Sequence, residues 1–199
     1  MGASSSKDDN SSTPDEITKP TDWATLDEHC WNFAQFDLLE TDGGWSGNHW
    51  LMYLGEGWVV HVTFCANYMS GIVRIQRVNN AIKRETKIRV NNHQKEANTN
   101  GYKMRPEAEI WHVLRQEFRH RDPTTWKLRE MQRFVRFDLK NSNCEHYVTN
   151  WRYGTGFSLQ TEDWGNMLGG KIKSGIADLV YDNKFIAKLV YRELTSSSM

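Results

Sequence analysis

The chain has 199 residues, of which 38% are hydrophobic and nine are tryptophan, enough for the core of one domain with room for tails. Its 25 basic and 25 acidic residues cancel, so the chain as a whole has no pull toward nucleic acid. Three cysteines are too few for a disulfide scaffold, and neither a signal-peptide core nor an apolar run of ~18–20 residues is present, which predicts a reducing, cytoplasmic setting without a transmembrane helix.

Residues 1–22 are rich in Ser, Asp and Asn and predict a disordered arm. The arm opens Met1-Gly2 with Ser6 and Lys7 behind, a pattern for N-myristoylation at Gly2. A single myristoyl chain anchors only marginally, so a second membrane contact is expected. Residues 71–136, with 16 basic and 7 acidic residues, offer one, whereas residues 1–70 carry 2 basic and 11 acidic. The same basic segment is also readable as a solvated face or as an RNA surface. The RNA reading is the weakest, because aromatics do not recur between its basic residues as stacking platforms would.

From Trp23 the chain is globular, and residues 23–158 form the predicted catalytic domain. Trp23, Leu26, Cys30 and Trp31 suit one face of a short helix. Residues 36–41, 49–54, 58–64, 72–78 and 86–90 are aromatic or β-branched runs between Gly and Asn, which predict strands. Pro106 opens a helix running to about Phe118, with Ile110, Val113 and Leu114 inward. A strand over about 133–139 and a helix from Cys144 to Tyr153, ended by Gly154, follow. Residues 159–199 form a C-terminal extension, where Ile186, Leu189, Val190 and Leu194 have the spacing of an amphipathic helix.

Ser142 with Glu145 three residues on reads as a capping box, which puts Cys144 in the first turn of its helix. Unpaired N–H groups and the helix dipole favour an anion there, and a thiol so placed can fall to a pKa of about 3.5–7.5. Cys144, Tyr147, Val148 and Trp151 share the helical rhythm that points inward, so the thiol is either a nucleophile or a small buried hydrophobe.

A nucleophile needs a base. His146 is two residues along the same helix and faces elsewhere. His49 and His61 flank a hairpin, and its register decides whether they meet. A two-residue turn at Glu56-Gly57 pairs Leu51 with Val62 and sends the rings to opposite faces. A three-residue loop, Gly55-Glu56-Gly57, pairs Leu51 with His61 and puts both rings on one face; Gly57 suits the left-handed position such a loop needs. We expect the second. Zinc competes for cysteine and histidine, but one thiol and two imidazoles leave a tetrahedral site a ligand short. No metal or other cofactor is implied. His29, His93, His112 and His120 have no partner legible in the sequence, and read as structural or exposed.

These residues carry a family resemblance. Asn143-Cys144-Glu145-His146-Tyr147-Val148-Thr149, continuing into Arg152-Tyr153-Gly154, resembles the nucleophile motif of the lecithin:retinol acyltransferase-like (LRAT domain) family, which includes the small phospholipase A/acyltransferases called HRAS-like suppressors. His49-Trp50 followed by Tyr53 to His61 resembles its two-histidine box, Phe36 to Glu40 its first strand, and Val90-Asn91-Asn92 a short motif between box and cysteine. Phe36 stands where the family usually carries glycine. The chain ends in charged residues and serines where members commonly end in a hydrophobic anchor, and 115–132 is longer than the small phospholipases need. The resemblance implies an α+β fold, a circularly permuted papain-like arrangement with an antiparallel sheet packed against helices. It implies Cys144 as nucleophile, His49 as general base and His61 as the orienting third residue. The implied chemistry is acyl transfer from a glycerophospholipid through a Cys144 thioester at a membrane surface, to water or to an amine or alcohol. The alternative is a catalytically silent, membrane-associated adaptor of the same fold.

Overall fold

In a computed structural model of the protein, residues 19–29, 32–42, 48–65, 70–119, 126–138 and 141–161 are described. The expected myristoylation site, the arm up to residue 18, Cys30, Trp31 and the C-terminal amphipathic helix lie outside the described residues.

Among the described residues the strands are β1 (Leu38–Thr41), β2 (His49–Gly55), β3 (Trp58–Cys65), β4 (Ser70–Arg77), β5 (Ile88–Val90) and β6 (Met131–Val135). The helices are α1 (Val78–Ala81), α2 (Gln94–Thr99), α3 (Glu107–Glu117) and α4 (Cys144–Tyr153). All strand pairs are antiparallel, and the sheet order is β5-β1-β2-β3-β4-β6, so the two histidine-bearing strands lie at its centre. This is the expected α+β fold with an antiparallel sheet.

Both faces of the sheet are covered, which explains why β1 is buried at every position and most of β2 reads as an unbroken apolar run rather than an alternating one. Trp50, Met52, Leu54, Val60, Val62, Val73 and Ile75 form one core with Ile110 and Leu114 of α3 and Val148 and Trp151 of α4. Leu39, Leu51, Tyr53, Val59 and Ile88 form a second core on the opposite face with Leu26, Val78 and Ile82.

Over the described residues 23–29 the helix expected near Trp23 does not form. Ala24 bridges to Ile88 at the sheet edge instead, and Thr25 and Glu28 cap a single turn: Thr25 N and Oγ1 donate to Glu28 Oε2 at 2.6 and 2.9 Å. β1 begins at Leu38 rather than Phe36 because Phe36 has φ +68°, a left-handed conformation no strand accommodates. Phe36 holds it because its ring is 2% exposed and packs edge-on against Trp111 at 5.4 Å. α3 starts at Glu107, one residue later than expected, with Pro106 as its cap, and α4 has the expected bounds, ended by Gly154 at φ +81°.

Candidate active site

The hairpin carrying the histidines has the expected register by an unexpected route. Leu51 pairs with His61, Met52 with Val60 and Tyr53 with Val59. Gly55 then pairs with Trp58, so only Glu56 and Gly57 form the turn, both left-handed at φ +50° and +75°. A two-residue turn alone would separate the rings. An irregularity between Tyr53 and Gly55, with Gly55 at φ +94°, takes up one residue and restores the pairing. His49 Nε2 and His61 Nδ1 therefore lie 2.8 Å apart, with ring planes at 74°.

Cys144 is the first residue of α4. The cap is Asn143, not the expected Ser142: Asn143 Oδ1 accepts from His146 N at 3.0 Å, while Ser142 bridges to Asp138. The thiol reaches the sheet where β2 begins. Cys144 Sγ lies 4.0 Å from Asn48 O, and the N–H groups of Trp50, Glu145 and Cys144 act on the sulfur. It thus meets the main chain on both sides of His49. α4 packs on the Trp50 face of the sheet and the imidazoles share the Leu51 face, so the thiol meets the main chain at the end of β2 where His49 stands rather than the rings' own face.

The thiol does not have the low pKa expected of a helix start. Burial pushes Cys144 up to about 12, outweighing the three N–H groups, with the Glu145 carboxylate adding to the rise. Burial likewise pushes His49 down to about 4 and His61 well below the usual range, where the charges of His49 and Arg74 depress it further. The resting site holds a neutral thiol and neutral imidazoles. A proton leaving sulfur must move as the new bond forms, since no thiolate is stored beforehand.

Glu145, read from sequence as half of a capping box, is fully buried and ties three segments together. Its carboxylate pairs with His93 Nε2 at 2.9 Å and accepts from Ser158 Oγ at 2.5 Å, Leu159 N at 3.0 Å and Gln160 N at 3.3 Å. Burial opposes ionisation, but the bonds to His93, Ser158 and Leu159 prevail and hold its pKa below the usual value. Gln160, so positioned, clamps the Asn48 peptide: Asn48 N donates to Gln160 Oε1 at 3.0 Å and Gln160 Nε2 donates to Asn48 O at 3.2 Å. Asn48 Nδ2 also donates to the buried Glu40, which holds Arg89 and Asn91 as well. Asn92 joins Leu38 N at 2.8 Å to Asp37 at 2.9 Å, so Val90-Asn91-Asn92 fastens β1 behind the site. Sequence reasoning missed His93, Asn48 and Gln160. Their partners are 52, 96 and 112 residues away along the chain, and no local pattern marks them.

The fold and site together define an α+β domain that sets a helix-terminal thiol beside the strand of a hydrogen-bonded imidazole pair. The family described as lecithin retinol acyltransferase matches residues 32–157, which include all three groups, and the chain belongs to that family. It is 30% identical over 124 residues to human phospholipase A and acyltransferase 1, covering 56% of this chain and 63% of that protein. The mouse and rat proteins of the same name are each 28% identical over 124 residues. The matched stretch spans under two thirds of these relatives' own length.

Proposed function

We propose that the protein is a thiol-dependent acyltransferase or phospholipase A acting on glycerophospholipids. The observation that carries this is the pairing of His49 with His61 on one face, next to a thiol lodged against the peptides on either side of His49. His49 Nε2 is engaged by His61, so Nδ1 is the nitrogen left to take a proton. In that tautomer His49 Nε2–H donates to His61 Nδ1, and His61 fixes the ring and its proton.

Cys144 Sγ bonds to the ester carbonyl carbon as its proton passes to His49 Nδ1. The helix-start N–H groups face the developing oxyanion. The intermediate collapses with cleavage of the ester C–O bond, and His49 returns the proton to the departing lysophospholipid oxygen. Water, an amine or an alcohol then attacks the thioester while giving a proton to His49, and the thiol is regenerated. The order of histidines before cysteine suits a circular permutation of a papain-like arrangement. We further propose that the protein works at a membrane surface as a peripheral protein, with Gly2 myristoylated and residues 71–136 in contact with lipid. No helix among the described residues is long and apolar enough to cross a membrane. The relatives' printed name, phospholipase A and acyltransferase, supports the substrate class.

The silent-adaptor reading draws its support from one observation, the thiol held protonated by burial. Turnover of mixed phospholipid vesicles, followed by mass spectrometry, separates the two. The enzyme reading requires released fatty acid or acylated acceptor, and both lost in Cys144→Ala and His49→Gln. Absence of product from the wild type favours the adaptor.

A further inference from the structure

Arg74 is the β4 residue that pairs with His61, so it stands on the same sheet face as the imidazole pair, one strand farther from His49. Its charge acts on His61 directly. Among the described residues its guanidinium takes part in no hydrogen bond or ion pair, and its Nε is buried without a partner. The ring nitrogen His61 Nε2 is in the same condition, in a residue that is 2% exposed. In the tautomer that leaves His49 able to accept a proton, His61 Nε2 carries hydrogen. Two buried donors on paired residues therefore lack an acceptor, an arrangement that native structures normally avoid.

A groove of about 400 Å³ opens along this part of the sheet, lined by Arg74, Gln76, Glu130 and Gln132. Glu130 lies at the end away from His61, where Asn80 Nδ2 donates to its Oε1 at 3.0 Å. The Arg74 end is the cationic one. A planar, permanently charged fork without a carboxylate partner matches the oxygens of a phosphate ester, which it can engage through two parallel hydrogen bonds.

We propose that Arg74 is an anion-binding residue that holds a phosphate group beside the imidazole pair. Naming a lipid headgroup as the source of that phosphate rests on the proposed phospholipid chemistry; the anion site itself does not. Arg74 fixes the ligand at its charged end, which leaves the ester of a phospholipid free to extend toward His49 and the thiol.

The test is binding to the full chain carrying Cys144→Ala, which removes turnover. Inorganic phosphate, glycerophosphocholine and a short-chain phosphatidylcholine below its micelle threshold are titrated by calorimetry. Adding Arg74→Gln should weaken binding of the preferred anion roughly tenfold or more, with Arg74→Lys in between, as expected for loss of a bidentate charge-assisted contact. Preference for the diesters assigns the site to a lipid headgroup; preference for inorganic phosphate assigns it to free phosphate, and either supports Arg74. Equal affinity in Arg74→Gln, or no binding of any of the three, overturns the inference. If Arg74→Gln fails to fold by circular dichroism, Arg74→Lys decides, and unchanged affinity there overturns it. Arg74-dependent binding in a protein without phospholipid turnover would remove the acyl-transfer proposal and leave this one standing.

Discussion

Removing the Glu145 carboxylate is the sharpest perturbation of the frame that carries the thiol. The group is fully buried and meets four donors, from His93, Ser158, Leu159 and Gln160. A hydrogen bond to a charged group contributes ~1.5–3 kcal/mol, and stranding the partner of a buried pair costs about 3–5 kcal/mol. The four bonds share one carboxylate and are not additive, so Glu145→Ala should lose about 3–5 kcal/mol of the ~5–15 kcal/mol typical of a domain. Glu145→Gln keeps the volume but turns an NH₂ toward donors, and should lose about 2–3 kcal/mol. Urea unfolding followed by tryptophan fluorescence measures both.

The pH dependence has a definite sign. Glu145 has a folded pKa below the unfolded value near 4.3, so its contribution is complete above that pH and disappears as pH falls through the folded value. The gap between wild type and Glu145→Gln should therefore close in acid. A loss under about 1 kcal/mol at neutral pH in both variants, or a gap that persists once the carboxyl is protonated, would refute the reasoning.

Other outcomes follow from individual residues. Phe36→Gly relieves about 1–2 kcal/mol of left-handed strain but deletes a buried ring whose loss costs ~3–5 kcal/mol. Packing wins, and chemical unfolding should show a net loss of roughly 1–4 kcal/mol. With the thiol pushed up to about 12, alkylation of Cys144 by iodoacetamide should keep rising with pH through about pH 10, where an ordinary thiol with pKa near 8.5 has levelled off; a plateau near neutrality would show a stored thiolate. His49, held at about 4, stays neutral at pH 5, so the acid limb of catalysis should fall near pH 4 rather than near 6.5. Gly55→Ala has room for its methyl group, 3.5 Å from Gln35 Nε2, yet imposes strain at φ +94°, and thermal unfolding should register a loss of about 1–3 kcal/mol.

What the sequence made legible was local. Asn143 to Gly154 carries its own cap and stop, and the structure places α4 within those bounds. The face shared by His49 and His61 followed from the register expected of the hairpin, although the bulge that restores that register was not visible: Gly55-Glu56-Gly57 permits either a three-residue loop or a two-residue turn with a preceding irregularity. The Trp23 helix was misread because Ala24 finds a sheet partner in Ile88, a tertiary contact that overrides helical spacing. The short helices α1 and α2 carry no capping side chain and left no signal. Glu145 matched a capping box in spacing, but its carboxylate instead meets a segment that returns to it only after residue 157. The expected low thiol pKa weighed the helix start without burial, and burial prevails.

Intact-mass analysis of the full chain after incubation with phospholipid vesicles tests the central claim most directly. The account predicts an acyl adduct on Cys144 that hydroxylamine releases and that is absent from Cys144→Ala. Released fatty acid without any trapped adduct, and with undiminished turnover in Cys144→Ala, would contradict it.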